Sequence, residues 1–273
     1  MTTAAQAAPE IDRLVWSVSR AVGPVHGARL SELARERGLD STVLLLPFAD
    51  FLSHGNLTKE VATLRMRYLP PEQVHERLDE LERAGFIRAT GPGLVATEAM
   101  RPLLDALLAA EAEIAASRWV GHEAEVTAAG DLAREVGHAA SDEHVVAVAH
   151  RGLPEPADPY LLLHHRLVTL RYVRQHDHAQ AWGSENLTPA VVAVMTRLWE
   201  GDVVDASADG LAPLVERGYA TDDPPALTSD GRMVRDAIEV ETDHRAQITF
   251  DVLDEQAGYT FVTTLRRLPG TAD

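Results

Sequence analysis

The 273-residue chain is predicted to be mainly α-helical, with one helix–turn–helix–hairpin–helix unit occurring twice. Three observations carry that expectation. Apolar residues recur at helical spacing along most of the chain. Two glycines placed to end helices, Gly85 and Gly218, are each followed by paired short runs of strand character. With a shift of 133 residues and no gap, Gly85 falls on Gly218, Phe86 on Tyr219, Leu94 on Leu227, Met100 on Met233 and Val120 on Leu253.

Taken in order, residues 1–9 read as a loose tail. Ile11–Val22 is a short amphipathic helix with Ile11, Leu14, Val15 and Val18 on one side, ended by the Gly/Pro break GPVHG. Leu30–Arg37 is a second short helix, and Thr42–Leu52 is apolar enough to be buried. Thr58 opens a helix to about Tyr68, and Pro71 suits the first position of the next, which runs to Ala84. Phe86–Arg88 and Leu94–Ala96 form a hairpin about Gly91-Pro92-Gly93, and Thr97 caps a long helix to about Val120. This is the layout of a winged helix. Residues 130–152 look helical but broken, and Gly152–Pro159 is a stiff Pro-rich connector. A long helix follows over Tyr160–Trp182. The second unit runs from Leu187-Thr188-Pro189 through helices ending near Trp199 and Arg217. A hairpin at Tyr219-Ala220 and Ala226-Leu227 precedes a last helix that Ser229 starts and that contains Arg232–Leu253. The organisation is then a tail (1–9), an N-terminal unit (10–152), a C-terminal unit (153–268) and a short tail (269–273), the two units forming a pseudo-dimer within one chain.

Composition narrows the function. No cysteine is present, which removes disulfides, thiolate metal sites and cysteine nucleophiles. No basic and apolar leader pattern opens the chain, and no apolar run approaches the roughly 18 residues of a membrane span. A cytoplasmic protein without membrane contact is expected. The formal net charge is -17, and Lys59 is the only lysine. Such a surface repels a polyanion unless basic residues are segregated. They are not gathered on the two candidate reading helices. In the first, Glu72, Glu76, Asp79, Glu80 and Glu82 oppose Arg77 and Arg83; in the second, Asp205, Asp209 and Glu216 oppose Arg217. Asp222-Asp223 occupies the second wing tip, and Lys59, Arg65, Arg67 and Arg88 make the only compact basic group. DNA is therefore a disfavoured partner.

The stretch YLLLHHRLVTLRYVRQHDHAQAW carries four of the twelve histidines and three arginines. At about 100° per residue, His164, Arg171 and His178 form one stripe, and His165, Thr169, Tyr172 and His176 an adjacent one. Leu163, Leu167 and Leu170 face elsewhere, toward a core. Histidines titrate near neutrality and serve as acid or base, and arginine clamps a carboxylate or phosphate. His176 and His178 point about 200° apart, so they do not chelate one metal ion together. No G-x-S-x-G, H-E-x-x-H, P-loop or dinucleotide fingerprint occurs. No cofactor or metal is expected. Any chemistry would be acid–base work by His165 and His178. His164, Arg171, Tyr172, Arg174 and Trp182 would bind the ligand, with Glu239 and Asp243, four residues apart on the last helix, as orienting carboxylates. The plainer alternative is a set of ordinary surface or interface pairings.

The run Leu214–Tyr219, followed by Leu227-Thr228-Ser229-Asp230-Gly231, resembles the recognition-helix end and wing of MarR-type winged-helix regulators. The first half carries Val95–Ala99 at that place, without the glycine. The region Leu153–Leu268 is similar to an actinobacterial helix-turn-helix family, distantly MarR-related. His165, Arg171, Arg174 and His178 fall on that family's helix pattern, with Asp177 where a glycine is usual. Its Arg-Asp-x-x-Glu-x-x-Thr-Asp run is matched by Arg235, Asp236, Glu239, Thr242 and Asp243. The resemblance implies a fold and a candidate site, not a chemistry. With the charge pattern, the first expectation is a monomeric or homodimeric protein that kept the fold, lost DNA binding and binds a small anionic or aromatic molecule, or works on it as an acid–base enzyme of specialised metabolism. The alternatives are a ligand-responsive transcription regulator and a scaffold or interaction module using its acidic faces.

Overall fold

The computed structural model describes residues 2–36, 38, 48–91 and 93–270. Most of the apolar run expected at Thr42–Leu52 lies outside them, as does Pro92; Phe51 and Leu52, at the end of that run, are buried.

The first helix, α1 (Thr3–Glu36), already includes residues read from sequence as a tail, and the Gly23-Pro24 pair lies within its bounds. Tertiary contact explains its early start: Ala4 and Ala7 are buried, and the Ala4 N–H donates to Gln247 Oε1 at 2.9 Å. Next come α2 (Ala49–His54), α3 (Lys59–Arg65) and α4 (Pro71–Arg83). Thr58 caps α3 by accepting from the Val61 N–H, and Pro71 starts α4 where no backbone donor is needed. Strands β1 (Ile87–Thr90) and β2 (Gly93–Ala96) form the first antiparallel hairpin, before α5 (Arg101–Trp119). The chain continues through α6 (Glu123–Ala139) and α7 (Val145–Arg151) to the Leu153–Asp158 connector. Asp158 then accepts from two backbone N–H groups and, with Pro159 behind it, opens α8 (Pro159–Ser184). Thr188 caps α9 (Pro189–Glu200), which leads to α10 (Leu211–Glu216) and the second hairpin, β3 (Ala220–Asp222) with β4 (Pro225–Leu227). The last two helices are α11 (Ser229–Phe250) and α12 (Glu255–Arg267). The sequence reading had no place for α12.

Two local expectations change. Ile87 pairs with Ala96, whereas Ala220 pairs with Leu227. The second hairpin is thus two residues shorter, and Leu227 stands where Ala96 does rather than Leu94. Thr97 does not cap α5. Its hydroxyl donates to the carbonyls of Gly85 and Phe86, closing the hairpin base, and the helix starts at Arg101. Thr228 does both tasks, donating to the Gly218 carbonyl and accepting from the Gly231 N–H. That tight junction requires glycine: a Cβ on Gly231 would lie 2.0 Å from the Tyr219 carbonyl oxygen.

Three apolar cores form. One gathers α2–α5, the first hairpin and α7, and another α9, α10 and the second hairpin. The third lies between them and draws on α1, α5, α6, α11 and α12. Only α8 among these helices reaches all three: Tyr172 and Val173 enter the first, Leu163, Leu167 and Leu170 the central one, and Ala181 the last. Its expected apolar flank is therefore real, and the helix is the shared axis of the molecule. Among the described residues no helix is long and apolar enough to cross a membrane.

Candidate functional site

The C-terminal half of α8 packs against α11, which brings the two stretches singled out in the sequence together. Arg174 Nη2 donates to Glu239 Oε2 at 2.7 Å and to Asp243 Oδ1 at 3.0 Å. Arg235, one turn before Glu239, binds the same carboxylate through Nη1 and stacks its guanidinium 4.9 Å from the Trp199 ring centroid. Arg171 donates to Asp12 of α1 at 2.7 Å and lies 4.4 Å over Trp16. Between these groups opens a cleft of about 550 Å³, walled by α1, α8, α9 and α11, with Tyr68 and Trp199 at its sides.

The electrostatics follow from placement. Burial alone would raise the Glu239 carboxyl, but its bonds to Arg174 and Arg235 hold it down at about 2. Burial would likewise lower Arg174, and Glu239 and Asp243 raise it instead. His178 borders the cleft; its Nδ1 lies 3.2 Å from the Thr242 hydroxyl and 3.7 Å from Glu239. Burial depresses the His178 imidazole to about 4, so at neutral pH it is an uncharged proton acceptor.

His164 and His165 lie elsewhere. His178 lies thirteen helical steps beyond His165, about 20 Å along the axis. Both border a smaller cavity, between α2, α5 and α8, and His165 also borders one beside α6. His164 approaches Ser19 at 3.4 Å, and burial lowers it to about 4. Tyr172 and Trp182 do not line the cleft. Tyr172 is buried beside Phe51 and His150, its hydroxyl accepting from Arg65 Nε at 3.0 Å. Trp182 packs against the C-terminal core. The two aromatic walls come instead from Tyr68 and Trp199. His176 sits with its ring 4.7 Å from that of His144, away from His178.

Sequence reasoning missed Asp12, Tyr68 and Trp199, which come from distant elements. Arg235 and Thr242 did carry a signal, as members of the Arg-Asp-x-x-Glu-x-x-Thr-Asp run. Asp236 of that run also accepts from the Trp199 indole N–H at 3.0 Å.

The surfaces that would read DNA are different in kind. Glu72, Glu76, Asp79 and Glu82 on α4 are exposed, and Lys59 is tied to Asp79 at 2.9 Å. Arg65 turns inward to Tyr172, and Arg67 turns to the backbone carbonyls of Leu64 and Gln175 on α8. Arg217 donates to the carbonyls of Glu185 and Asn186, and Asp222 and Asp223 are exposed at the second wing. Of the compact basic group, Arg88 alone is exposed without a side-chain partner among the described residues.

Residues 95–272 match the model of a helix-turn-helix family. No curated protein and no solved structure matches the chain.

Proposed function

We propose, from the premise that this chain belongs to that helix-turn-helix family, that it uses the fold to bind a small molecule rather than DNA. In this reading the two hairpin-bearing halves are MarR-like winged-helix units, related as a pseudo-dimer, and the ligand sits in the cleft along α8. The observation that carries it is the direction of the arginines. Arg171, Arg174 and Arg235 have side chains only 19%, 25% and 6% exposed and border the cleft, while carboxylates occupy the reading faces. Phosphate contacts need the reverse arrangement. Cationic forks between Tyr68 and Trp199 suit an aromatic carboxylate, which would take over part of what Glu239 and Asp243 now supply to Arg174. His178, neutral and braced by Thr242, is the group in this cleft that would take or return a proton.

The test uses benzoate as the probe. Quenching of tryptophan fluorescence, Trp199 being the indole in the cleft wall, is expected on titration of the native chain, and Arg174→Ala is expected to weaken binding at least tenfold. Benzyl alcohol should bind no better than that variant binds benzoate. Equal affinity of native and variant chains for benzoate would remove the cleft from the account. The second reading, a ligand-responsive regulator, is favoured by the family match itself and is separated by the DNA titration described below.

A further inference from the structure

We propose that the cavity walled by α2, α5, α8 and the Leu153–Asp158 connector is a second binding site, for a small organic amine bound as its ammonium ion. The cavity measures about 260 Å³, room for a compact molecule rather than an extended one. Asp50, Glu111 and Glu155 bring three carboxyl groups to its wall, and among the described residues neither Arg nor Lys borders it. Glu155 is already held by Arg166, at 2.8 and 3.0 Å. Glu111 has no hydrogen-bond or ion-pair partner among the described residues.

A second group is also left over. His165 is 9% exposed and borders the cavity, yet no described residue hydrogen-bonds its ring. It stacks on the His150 ring, with centroids 4.3 Å apart and planes at 23°. His150 is fully buried and fixed at both nitrogens, to Thr169 at 2.8 Å and to Asp50 Oδ2 at 3.4 Å. Asp50 is thereby aimed, with its other oxygen unused. A buried group able to hydrogen-bond is costly unless something satisfies it. An ammonium group has three donors, and this wall presents three acceptors to it: Glu111, Asp50 and the His165 imidazole. Leu108, Leu161 and the connector prolines supply apolar contact for the rest of the molecule. The charge selects against the ligand class proposed for the arginine cleft, so the two sites take opposite ions.

Proton linkage gives the site a signature. Burial, with Asp50 beside it, pushes the Glu111 carboxyl up to about 8. The groups facing it are Asp50 and His54 of α2, Glu155 of the connector, and His164 and His165 of α8, with His150 of α7 behind Asp50. Burial keeps His164 and His165 neutral above pH 6, at about 4 and 3. An arriving ammonium therefore displaces the Glu111 proton.

Benzylamine titrated by calorimetry into the full chain at pH 6, 7 and 8, each in two buffers of different ionisation enthalpy, tests this. Affinity should rise about tenfold per pH unit toward 8, with close to one proton released at pH 6 to 7. Glu111→Gln should abolish the release and weaken binding at pH 8 at least tenfold. Leu108→Phe, which narrows the cavity and leaves its charges alone, should weaken it too. Arg174→Ala should leave it unchanged, which keeps this site separate from the cleft. Benzyl alcohol binding as tightly as benzylamine, or benzylamine binding with no proton released by the native chain, would overturn the proposal.

Discussion

Lowering the pH from 6.5 to 4 is expected to remove several kcal/mol of stability. His164, His165 and His178 are buried as neutral rings, which lowers them to about 4, 3 and 4. In the unfolded chain each takes a proton near 6.5. Between those values the unfolded state holds the extra protons, so stability falls as pH falls. His164 and His178 would contribute roughly 3 kcal/mol apiece over that window. Glu111 has the opposite sign. Its folded carboxyl keeps a proton up to about 8, so its contribution declines as pH rises from 4.5 toward 8. Together they place the optimum close to pH 6.5. Urea unfolding at half-unit pH intervals measures both limbs. His164→Gln should flatten the acid limb and Glu111→Gln the alkaline one. A stability that is level between pH 6.5 and 4 would show that these rings are not buried neutral.

Trp119→Ala is expected to cost about 3–5 kcal/mol. The side chain is fully buried in the central core, and its indole N–H donates to the Pro269 carbonyl at 3.1 Å. That core joins residues from the start of the chain, such as Ile11 and Leu14, to Phe261 and Leu265 near its end. Losing the ring therefore loosens the attachment of both ends at once. The native chain should unfold in a single thermal transition, and the variant in a single, lower one. A loss below about 1 kcal/mol would mean that the central core is not shared in this way.

Much of the fold could be read from local rules, because those rules act over a few residues. Thr58 and Thr188 cap, Pro71, Pro159 and Pro189 start helices, and Gly85 and Gly218 precede hairpins. What stayed hidden depends on distant contact. Residues 3–9 are helical because α12 and Gln247 receive them. Thr97 serves the hairpin rather than α5 because Gly85 and Phe86 offer carbonyls to it. At the candidate site, helical periodicity put Arg171 and His178 on one stripe of α8, the family-like pattern added Arg174, and the four-residue spacing put Glu239 and Asp243 on one face. Periodicity could not show that His164 and His165 border another cavity, since a stripe along a 26-residue helix extends well beyond one small ligand. Nor could it choose the aromatics: Tyr172 is drawn into the core by Phe51 and Arg65, and Tyr68 and Trp199 arrive from other helices.

The inward direction of the arginines is tested most directly by anisotropy titration of a labelled mixed-sequence duplex at about 150 mM salt. No saturable binding is expected below roughly 100 µM, because the exposed reading faces carry carboxylates where phosphate contacts are needed. Saturable micromolar binding that weakens steeply with added salt would contradict the account and make the protein a DNA-reading member of its family.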